Sequence, residues 1–510
     1  MDKILVLDFG GQYDQLIARR VRENGVYAEI VPYSKITASE IADRGYRGVI
    51  MTGGPNSVYD AASPHFDPAL LDLGIPVLGI CYGHQLMAYM SGGTIEAAND
   101  ISEYGKVVFR VTDPVPLFCD VPEKSVSWMS HTDYVSKVGE GFSVTAVTAN
   151  CPVAAMCDKE RKLYGVQFHP EVTHTEFGSK IIHNFLYEVC GCEGGWNMAD
   201  FTTRTVENYR RELEGKTVLL GLSGGVDSTV AAVLLNRAIG KRLTCVFVDH
   251  GLMRKDEGDT VERTFRDKFD INLIRVNAED RFLARLAGVG DPETKRHIIG
   301  EEFVRVFEDV GRELGHVDCL AQGTIYPDVI ESGEGDAAKI KSHHNRSIPD
   351  VIDYDEIVEP LRDLFKDEVR LVWLELGIPE QLVWRQPFPG PGLGVRVIGE
   401  VTKEKLDKLR EADAIFCEEI EKVPFDERPN QYFAVLTDTK SVGVQGDARV
   451  YDSVVALRAV STDDFMTADF TRIPYDVVAR AAARIMNEVK GLSRVVFDVT
   501  SKPPATVEWE

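Results

Sequence analysis

Long hydrophobic runs are missing from this 510-residue chain. None reaches the ~18 consecutive apolar residues that a membrane-spanning helix requires, so no span is expected. Basic charge is also scarce: 57 Lys and Arg stand against 81 Asp and Glu, a net charge of −24. That balance disfavours a broad nucleic-acid surface and leaves room only for a local basic patch. It suits a mononucleotide enzyme, because backbone amides and a metal ion can handle phosphates. The nine cysteines form neither a CxxC pair nor an even disulfide framework, which points to a reducing cytoplasm. Cys190-Gly191-Cys192 has no following Cys/His pair to complete a metal site. The first residues enter a strand pattern directly, without the apolar core and small-residue cleavage site of a signal peptide.

What remains has the composition of an ordinary globular protein, 44% hydrophobic and 27% charged. Its length suits about three domains of ~150 residues each. The most informative stretch lies near the middle: Leu219-Leu220-Gly221-Leu222-Ser223-Gly224-Gly225-Val226-Asp227-Ser228-Thr229. An apolar run of strand length precedes the loop, and Val230, Val233, Leu234 and Leu235 follow it at helical spacing. A glycine-rich turn between strand and helix turns its amides toward the helix N-terminus and so forms an anion site. Ser223, Ser228 and Thr229 add hydroxyl donors. Asp227 is the odd member, since a carboxylate beside phosphates needs an intervening cation; Mg²⁺ is expected there. The loop lacks the lysine and the spacing of a Walker A motif. The plain alternative is a tight turn with an N-cap serine.

Ser223-Gly224-Gly225-Val226-Asp227-Ser228 resembles the pyrophosphate loop of the N-type ATP pyrophosphatases. The resemblance implies that these six residues bind ATP, cleave it to AMP and pyrophosphate, and activate a carbonyl oxygen as an adenylate.

Upstream, strand-like runs at 3–7, 26–31, 48–51 and 76–80 alternate with helical stretches such as 12–23, which argues for a parallel α/β sheet. Runs at 106–111, 143–147 and 163–168 read as added strands. The run 76–80 ends in Cys81-Tyr82-Gly83-His84-Gln85, and Gly79-x-Cys81-x-Gly83 has the spacing of a nucleophile elbow with Cys in place of Ser. A sharp turn there sets the thiol at a helix N-terminus, where the dipole favours thiolate. A structural buried cysteine is the alternative. Phe168-His169-Pro170-Glu171 offers a base and its orienting carboxylate: in extended chain His169 and Glu171 share a face. His84, His131, His174 and His183 compete for the role of base. Gly53-Gly54-Pro55-Asn56-Ser57 follows the run 48–52, so the Gly54 and Tyr82 amides are the candidate oxyanion donors. Together these stretches resemble the class I glutamine amidotransferases. The resemblance implies that Cys81 attacks the side-chain amide of glutamine, that His169 moves the protons, that Glu171 orients it, and that ammonia is released.

Downstream, the Gly-rich stretch 190–196 marks a boundary. A strand at 243–248 beside the first βα loop places Val248 and Asp249 at the adenosine, and Gly323, after a strand at 319–322, would let backbone close over the nucleotide. The polar stretch 332–349 reads as a mobile lid. Lys366 opens a helix and can reach a phosphate. Gln386-Pro387-Phe388-Pro389-Gly390-Pro391-Gly392-Leu393-Gly394 is too rich in Pro and Gly for helix or strand and marks a second boundary. Beyond it, helices at 404–423 and 475–489 and strands at 432–436, 441–445, 450–460 and 494–500 read as a small α+β unit whose uncovered sheet face favours a homodimer. The tail 502–510, with its prolines and Trp509, is expected to dock.

The order of these features resembles the glutamine-hydrolysing nucleotide synthetases that aminate XMP at the expense of ATP. That implies Lys366, Lys502 and Glu508 as XMP contacts, with Arg396 and Arg472 as weaker candidates. The expected fold class is α/β multidomain: an amidotransferase domain over 1–192, a doubly wound parallel-sheet ATP pyrophosphatase domain over 200–385, and an α+β XMP-binding and dimerisation domain over 386–510. The rivals are a different acceptor for the same chemistry, deamido-NAD for amidation or a tRNA for thiolation by the second domain, and a nucleotide sensor with a vestigial glutaminase.

Overall fold

A computed structural model describes residues 2–55, 57–60, 62–97, 102–331, 354–378, 386, 388–462 and 467–510. The stretch expected to form a lid, 332–349, and Asn56 lie outside the described residues. The chain divides into two compact units, Met1–Phe201 and Thr202–Glu510.

The first unit is built on a nine-stranded sheet. Five strands run parallel, in the order Tyr27–Pro32, Lys3–Asp8, Gly48–Met51, Val77–Ile80 and Leu163–Val166. Gly48–Met51, Val77–Ile80 and Leu163–Val166 are buried at every position, the mark of strands covered on both faces. Antiparallel strands then extend the sheet: Ala155–Asp158, Ser143–Val147, Glu103–Val111 and Lys124–His131. Like Ala155–Asp158, the last of these, Lys124–His131, has no counterpart in the sequence reading. Its inward positions are Ser125, Ser127, Met129 and His131, so its hydrophobic alternation is inverted. Ahead of the Gly-rich stretch 190–196, the helix Gly178–Asn184 is continued by a π-turn, Phe185–Val189.

The second unit opens with a five-stranded parallel sheet in the order Asn272–Asn277, Leu243–Asp249, Val218–Leu222, Val317–Ala321 and Tyr354–Val358. The chain winds one way from Val218–Leu222 and the other way from Val317–Ala321. A crevice therefore opens beyond the carboxyl ends of those two strands. A second sheet follows, in which Gln431–Gln445 pairs with Ala448–Ser461, which also takes Leu492–Asp498 in parallel. The two strands expected at 432–436 and 441–445 are one strand whose register shifts between Leu436 and Lys440. At that irregularity the backbone of Leu436 bonds to Arg396 and Ile398 instead, at 2.8 and 2.9 Å.

Helices Lys403–Glu421 and Tyr475–Glu488 cover the second sheet. The core beneath them is continuous with that of the parallel sheet: Leu219, Val246 and Phe282 belong to the same buried cluster as Phe416, Leu457 and Ile485. Residues on both sides of the Pro/Gly-rich stretch thus share one apolar interior. The tail docks, as expected. Trp509 donates its indole N–H to Asp498 at 2.9 Å, and Glu510 pairs with the fully buried Lys295. Phe416→Ala should cost about 3–5 kcal/mol. Because the core is shared, the loss should appear as one lowered denaturation midpoint over the whole of 202–510, including a tryptophan signal from Trp373; two separated transitions would contradict a common core.

Candidate functional site

In the first unit, the strand Val77–Ile80 breaks sharply into the helix Tyr82–Met90, and Cys81 stands at the break with φ 52° and ψ −104°. Positive φ is costly for a residue with a side chain and is held only where the surroundings over-determine it. Here the neighbours do so by contact. A Cβ on Gly79 would lie 2.5 Å from the Gly83 carbonyl oxygen, and one on Gly83 would lie 2.4 Å from that of Met51. Only two bare backbones fit the turn. The Gly83 amide also donates to the Thr52 carbonyl at 3.0 Å, tying the elbow to the end of Gly48–Met51. Cys81 is 8% exposed, at the positive end of its helix.

His169 and Glu171 leave the strand Leu163–Val166, which pairs with Val77–Ile80. The sheet thereby brings together residues 88 positions apart in sequence. Nδ1 of His169 bonds to Oε1 of Glu171 at 2.6 Å, and Glu171 is fully buried. The other face of the imidazole meets the Cys81 thiol. Burial works against the imidazolium, but the charges of Glu171 and Cys81 outweigh it and raise the His169 pKa well above its ordinary value. The segment is held from several sides. The His169 amide donates to the Trp128 carbonyl at 3.0 Å, Thr175 donates its hydroxyl to the His169 carbonyl at 2.6 Å, and Arg20 Nε donates to the Glu171 carbonyl at 2.9 Å. Tyr13 packs edge-on against the ring at 5.1 Å.

Gly53 and Gly54 run alongside the elbow. A Cβ on Gly53 would sit 4.0 Å from Cβ of Cys81, and one on Gly54 would sit 3.0 Å from Cγ of Tyr82. Tyr82 is the first residue of its helix, so its amide lies beyond the helical ladder. The two expected oxyanion donors, Gly54 and Tyr82, therefore lie side by side at the Cys81 turn. Of the competing bases, His84 is fully buried and bonds to the Val153 carbonyl at 3.1 Å; burial lowers its pKa to about 3. His131 pairs with Glu103, His174 packs on Trp128 and His183 on Tyr187.

In the second unit, Ser223–Gly225 form the turn between Val218–Leu222 and the helix Val226–Ile239, whose first turn carries Val226, Asp227 and Ser228. Gly224 has φ +76°, a conformation that glycine adopts without strain. Ser223 and Ser228 bond hydroxyl to hydroxyl at 2.9 Å, and the Gly225 amide donates to Ser223 at 3.3 Å. Gly323 abuts the turn, since a Cβ there would lie 3.4 Å from the Ser228 amide. The loop borders a cavity of about 600 Å³, the size of a nucleotide site. Val248 lines it too, as does Lys366, which forms an ion pair with Asp227 Oδ2. Oδ1 of Asp227 is buried without a hydrogen-bond partner among the described residues. Asp249 is held by Arg275 at 2.6 Å.

Lys366 is thus at the 223–228 loop, whereas Lys502 and Glu508 are not among the residues lining this cavity. Glu508 takes a two-pronged bond from Arg396, at 2.8 and 3.0 Å, and a third from Gln431 at 3.0 Å. Arg396 is fully buried, its Nη1 without a partner among the described residues, and its guanidinium lies 5.3 Å from the Phe388 ring in the cavity wall. Lys502 pairs through its backbone with Ala468, at 2.7 and 2.9 Å. Arg472 is exposed and pairs with Asp469.

Three family patterns match the chain: "Glutamine amidotransferase class-I" over residues 5–189, "NAD synthase" over 198–297, and "GMP synthase C terminal domain" over 418–509. Proteins named "GMP synthase [glutamine-hydrolyzing]" from Ruminiclostridium cellulolyticum and Acetivibrio thermocellus are each 61% identical to it. The first aligns over 510 residues (100% of this chain, 99% of its own) and the second over 508 (99% of each). One from Clostridium novyi is 58% identical over 508 residues, again 99% of each. The chain belongs to the glutamine-hydrolysing GMP synthase family. The NAD synthase likeness is confined to the nucleotide-cleaving part, so it marks shared ATP chemistry and not a shared acceptor.

Several residues of this GMP synthase family member escaped the sequence reading. Arg254, Arg296, Trp373 and Phe388 line the cavity, and Gln167 lies 3.8 Å from the Cys81 sulfur. The Pro/Gly-rich stretch 386–394, read as a boundary, contributes Phe388 to Pro391 to the cavity wall. Its refusal of helix and strand was the available signal.

The raised His169 pKa has a consequence for stability. Its contribution is fully present below the unfolded value of ~6.5 and is lost as pH rises through the higher folded value. Glu171→Gln removes the main raising charge, so the difference in denaturation midpoint between mildly acidic and alkaline buffer should shrink for the first unit. An unchanged difference would mean that Glu171 does not hold the proton on His169.

Proposed function

We propose that the chain makes GMP by two coupled reactions, glutamine hydrolysis at Cys81 and ATP-dependent amination of XMP at the 223–228 loop. The carrying observation is that the Cys81–His169–Glu171 line and the glycine-rich cavity lie in one chain whose full length matches glutamine-hydrolysing relatives. In this reading 1–192 is the glutaminase part, 200–385 the ATP pyrophosphatase part and 386–510 the XMP-binding part, the last two sharing one core.

In the glutaminase, Cys81 Sγ attacks the carboxamide carbon of glutamine and the oxyanion falls between the Gly54 and Tyr82 amides. His169 passes the thiol proton to the leaving nitrogen, releasing ammonia and a thioester; it then draws a proton from water, which hydrolyses the thioester to glutamate. Glu171 holds Nδ1–H, keeping the opposite nitrogen toward sulfur. In the second unit the amides and hydroxyls of 223–228 grip the β- and γ-phosphates of ATP, while Val248 and Gly323 bound its nucleoside. The carbon-2 oxygen of XMP attacks the α-phosphorus, giving adenyl-XMP and pyrophosphate. Ammonia then displaces AMP.

Mg²⁺ suits Asp227. Lys366 neutralises one of its oxygens and leaves the other, buried one with no partner among the described residues, as a carboxylate ligand requires. Bound there, Mg²⁺ would neutralise charge on the phosphates. Lys366 stands where it can hold a phosphate, and Lys502 and Glu508 are assigned to XMP by their place in the tail, with Arg396 orienting Glu508. A homodimer is supported by apolar side chains left in solvent on the second sheet: Val442, Val444 and Tyr451 are 52%, 73% and 63% exposed. A cytoplasmic setting agrees with nine free cysteines and with the absence, among the described residues, of any helix long and apolar enough to cross a membrane.

Cys81→Ala should abolish glutamine-dependent GMP formation and spare formation from ammonium salts; loss of both in a folded variant would refute this division of labour. Pyrophosphate release should require XMP and not respond to deamido-NAD. Asp227→Asn should raise the Mg²⁺ concentration for half-maximal synthesis by about tenfold, measured with ammonium as donor, and an unchanged Mg²⁺ titration would remove Asp227 from the metal site.

A further inference from the structure

The triad does not use every group that reaches the sulfur. Gln167 lies two residues before His169, just past the strand Leu163–Val166, and is fully buried. Its backbone is fixed by a bond from its amide to the Ala154 carbonyl at 2.9 Å, and its Nε2 is 3.8 Å from Cys81 Sγ, within the longer reach of sulfur. The assignment of nitrogen and oxygen in a side-chain amide must come from its bonding partners, and here the partners fix it.

The chain of bonds starts at a backbone carbonyl, which can only accept. The Asp133 carbonyl receives Nε2 of Gln85 at 2.6 Å, so that end of Gln85 is its amino group. The second hydrogen of the same amino group points to the Gln167 side chain at 3.2 Å, which must therefore present its oxygen. The remaining end of Gln167, the end facing Cys81, is a donor. The Asp133 carbonyl is held in turn by Nδ1 of His131 at 3.1 Å, and Nε2 of His131 meets Glu103 at 3.3 Å. Glu103 is braced by the Thr148 hydroxyl at 2.7 Å and faces His131 directly across the antiparallel ladder. Gln85, Gln167, His131 and Glu103 are all buried. A buried network with this many mutual constraints has one low-energy orientation.

We propose that Gln167 is a catalytic residue of the glutaminase, donating its side-chain N–H to the Cys81 sulfur to stabilise the thiolate before attack and again when the thioester breaks. The proposal rests on Cys81 being the glutaminase nucleophile. Gln167 transfers no proton. When the thioester's carbon–sulfur bond breaks, its electron pair goes to Sγ, the acyl carbon keeps the oxygen of the attacking water, and His169 carries the proton; Gln167 only receives the sulfur's charge in a hydrogen bond. A neutral amide suits this position because it cannot lose the proton it offers. The other groups around the sulfur cannot substitute for it. His169 is committed to Glu171 and to proton transfer, and His84, on the nucleophile's own helix, bonds away to Val153. His131 and Glu103 on the neighbouring strands are paired to each other, and the Ser130 carbonyl, 3.8 Å from Sγ, can only accept and so favours the protonated thiol. Gln85 is a positioning residue, acting through Gln167.

The test is Gln167→Met, which keeps volume and removes the donor, with Gln167→Glu as a second variant that places a carboxylate beside the sulfur. Steady-state glutaminase kinetics with ATP and XMP present, and the rate of Cys81 alkylation by iodoacetamide at neutral pH, are read for both. Gln167→Met should lower kcat and the alkylation rate by about tenfold with KM for glutamine within about twofold, and Gln167→Glu should lower both rates further. Unchanged kcat and alkylation, or a rise in KM alone, would overturn the proposal; if Gln167→Met fails to fold, the same criteria apply to Gln167→Glu. Cys81→Ala is run in parallel. If that variant still hydrolyses glutamine, the nucleophile assignment itself fails, whereas an inactive Cys81→Ala beside an unaffected Gln167→Met rejects only the role of Gln167.

Discussion

Backbone pressed directly on backbone is the constraint on which both sites depend. At the elbow, Gly79 and Gly83 leave no room for a Cβ, and that contact holds Cys81 in its left-handed conformation. The thiol is consequently raised off the sheet toward His169, which follows the adjoining strand. In the second unit a Cβ on Gly392 would fall 2.3 Å from the Leu252 carbonyl oxygen, and the Leu393 amide donates to that same oxygen at 2.7 Å. The clamp holds the 388–391 turn in the wall of the cavity that the 223–228 loop borders. Each contact is short because a side chain is absent, and each helps to position the groups that border its site.

The chain is strongly acidic and yet built to hold triphosphates. It does so locally. The cavity collects Lys366, Arg254, Arg296 and Arg370 around a loop of amides and hydroxyls, while the surplus of carboxylates lies elsewhere. Arg275, for example, is surrounded by Asp249, Asp259 and Glu262. Net charge therefore excludes broad anionic partners but says little about one pocket, because a few oriented donors in a low-dielectric cleft outweigh distant, screened charges.

The second unit has one interior. Helix Pro292–Leu314 shows why this matters: it contributes Arg296, Ile299, Gly300 and Phe303 to the cavity, packs Val306 and Phe307 into the common core, and carries Lys295, which the tail residue Glu510 neutralises. Tail, core and nucleotide wall are thus linked through one rigid element. A buried ammonium with a single carboxylate partner is unfavourable to break, so the tail's docking is coupled to the position of the wall that Arg296 lines.

The sequence alone determined the two chemistries. Cys81 between spaced glycines, His169 and Glu171 around a proline, and the Ser223–Ser228 loop between strand and helix are local patterns, and local patterns are written in consecutive residues. The parallel strands were legible for the same reason, being continuous apolar runs. The tertiary structure decided what depends on pairing between distant segments. It made Lys124–His131 a strand although its inward face is mostly serine and histidine, because pairing with Glu103–Val111 satisfies that face: Ser127 donates to the Val107 carbonyl and His131 meets Glu103. It placed Lys366 against Asp227, turned an expected boundary into a cavity wall, and aligned Gln85 with Gln167 beneath the sulfur, 82 residues apart. No spacing rule could report these, since side chains that meet only through sheet register and helix packing leave no periodic mark in the chain.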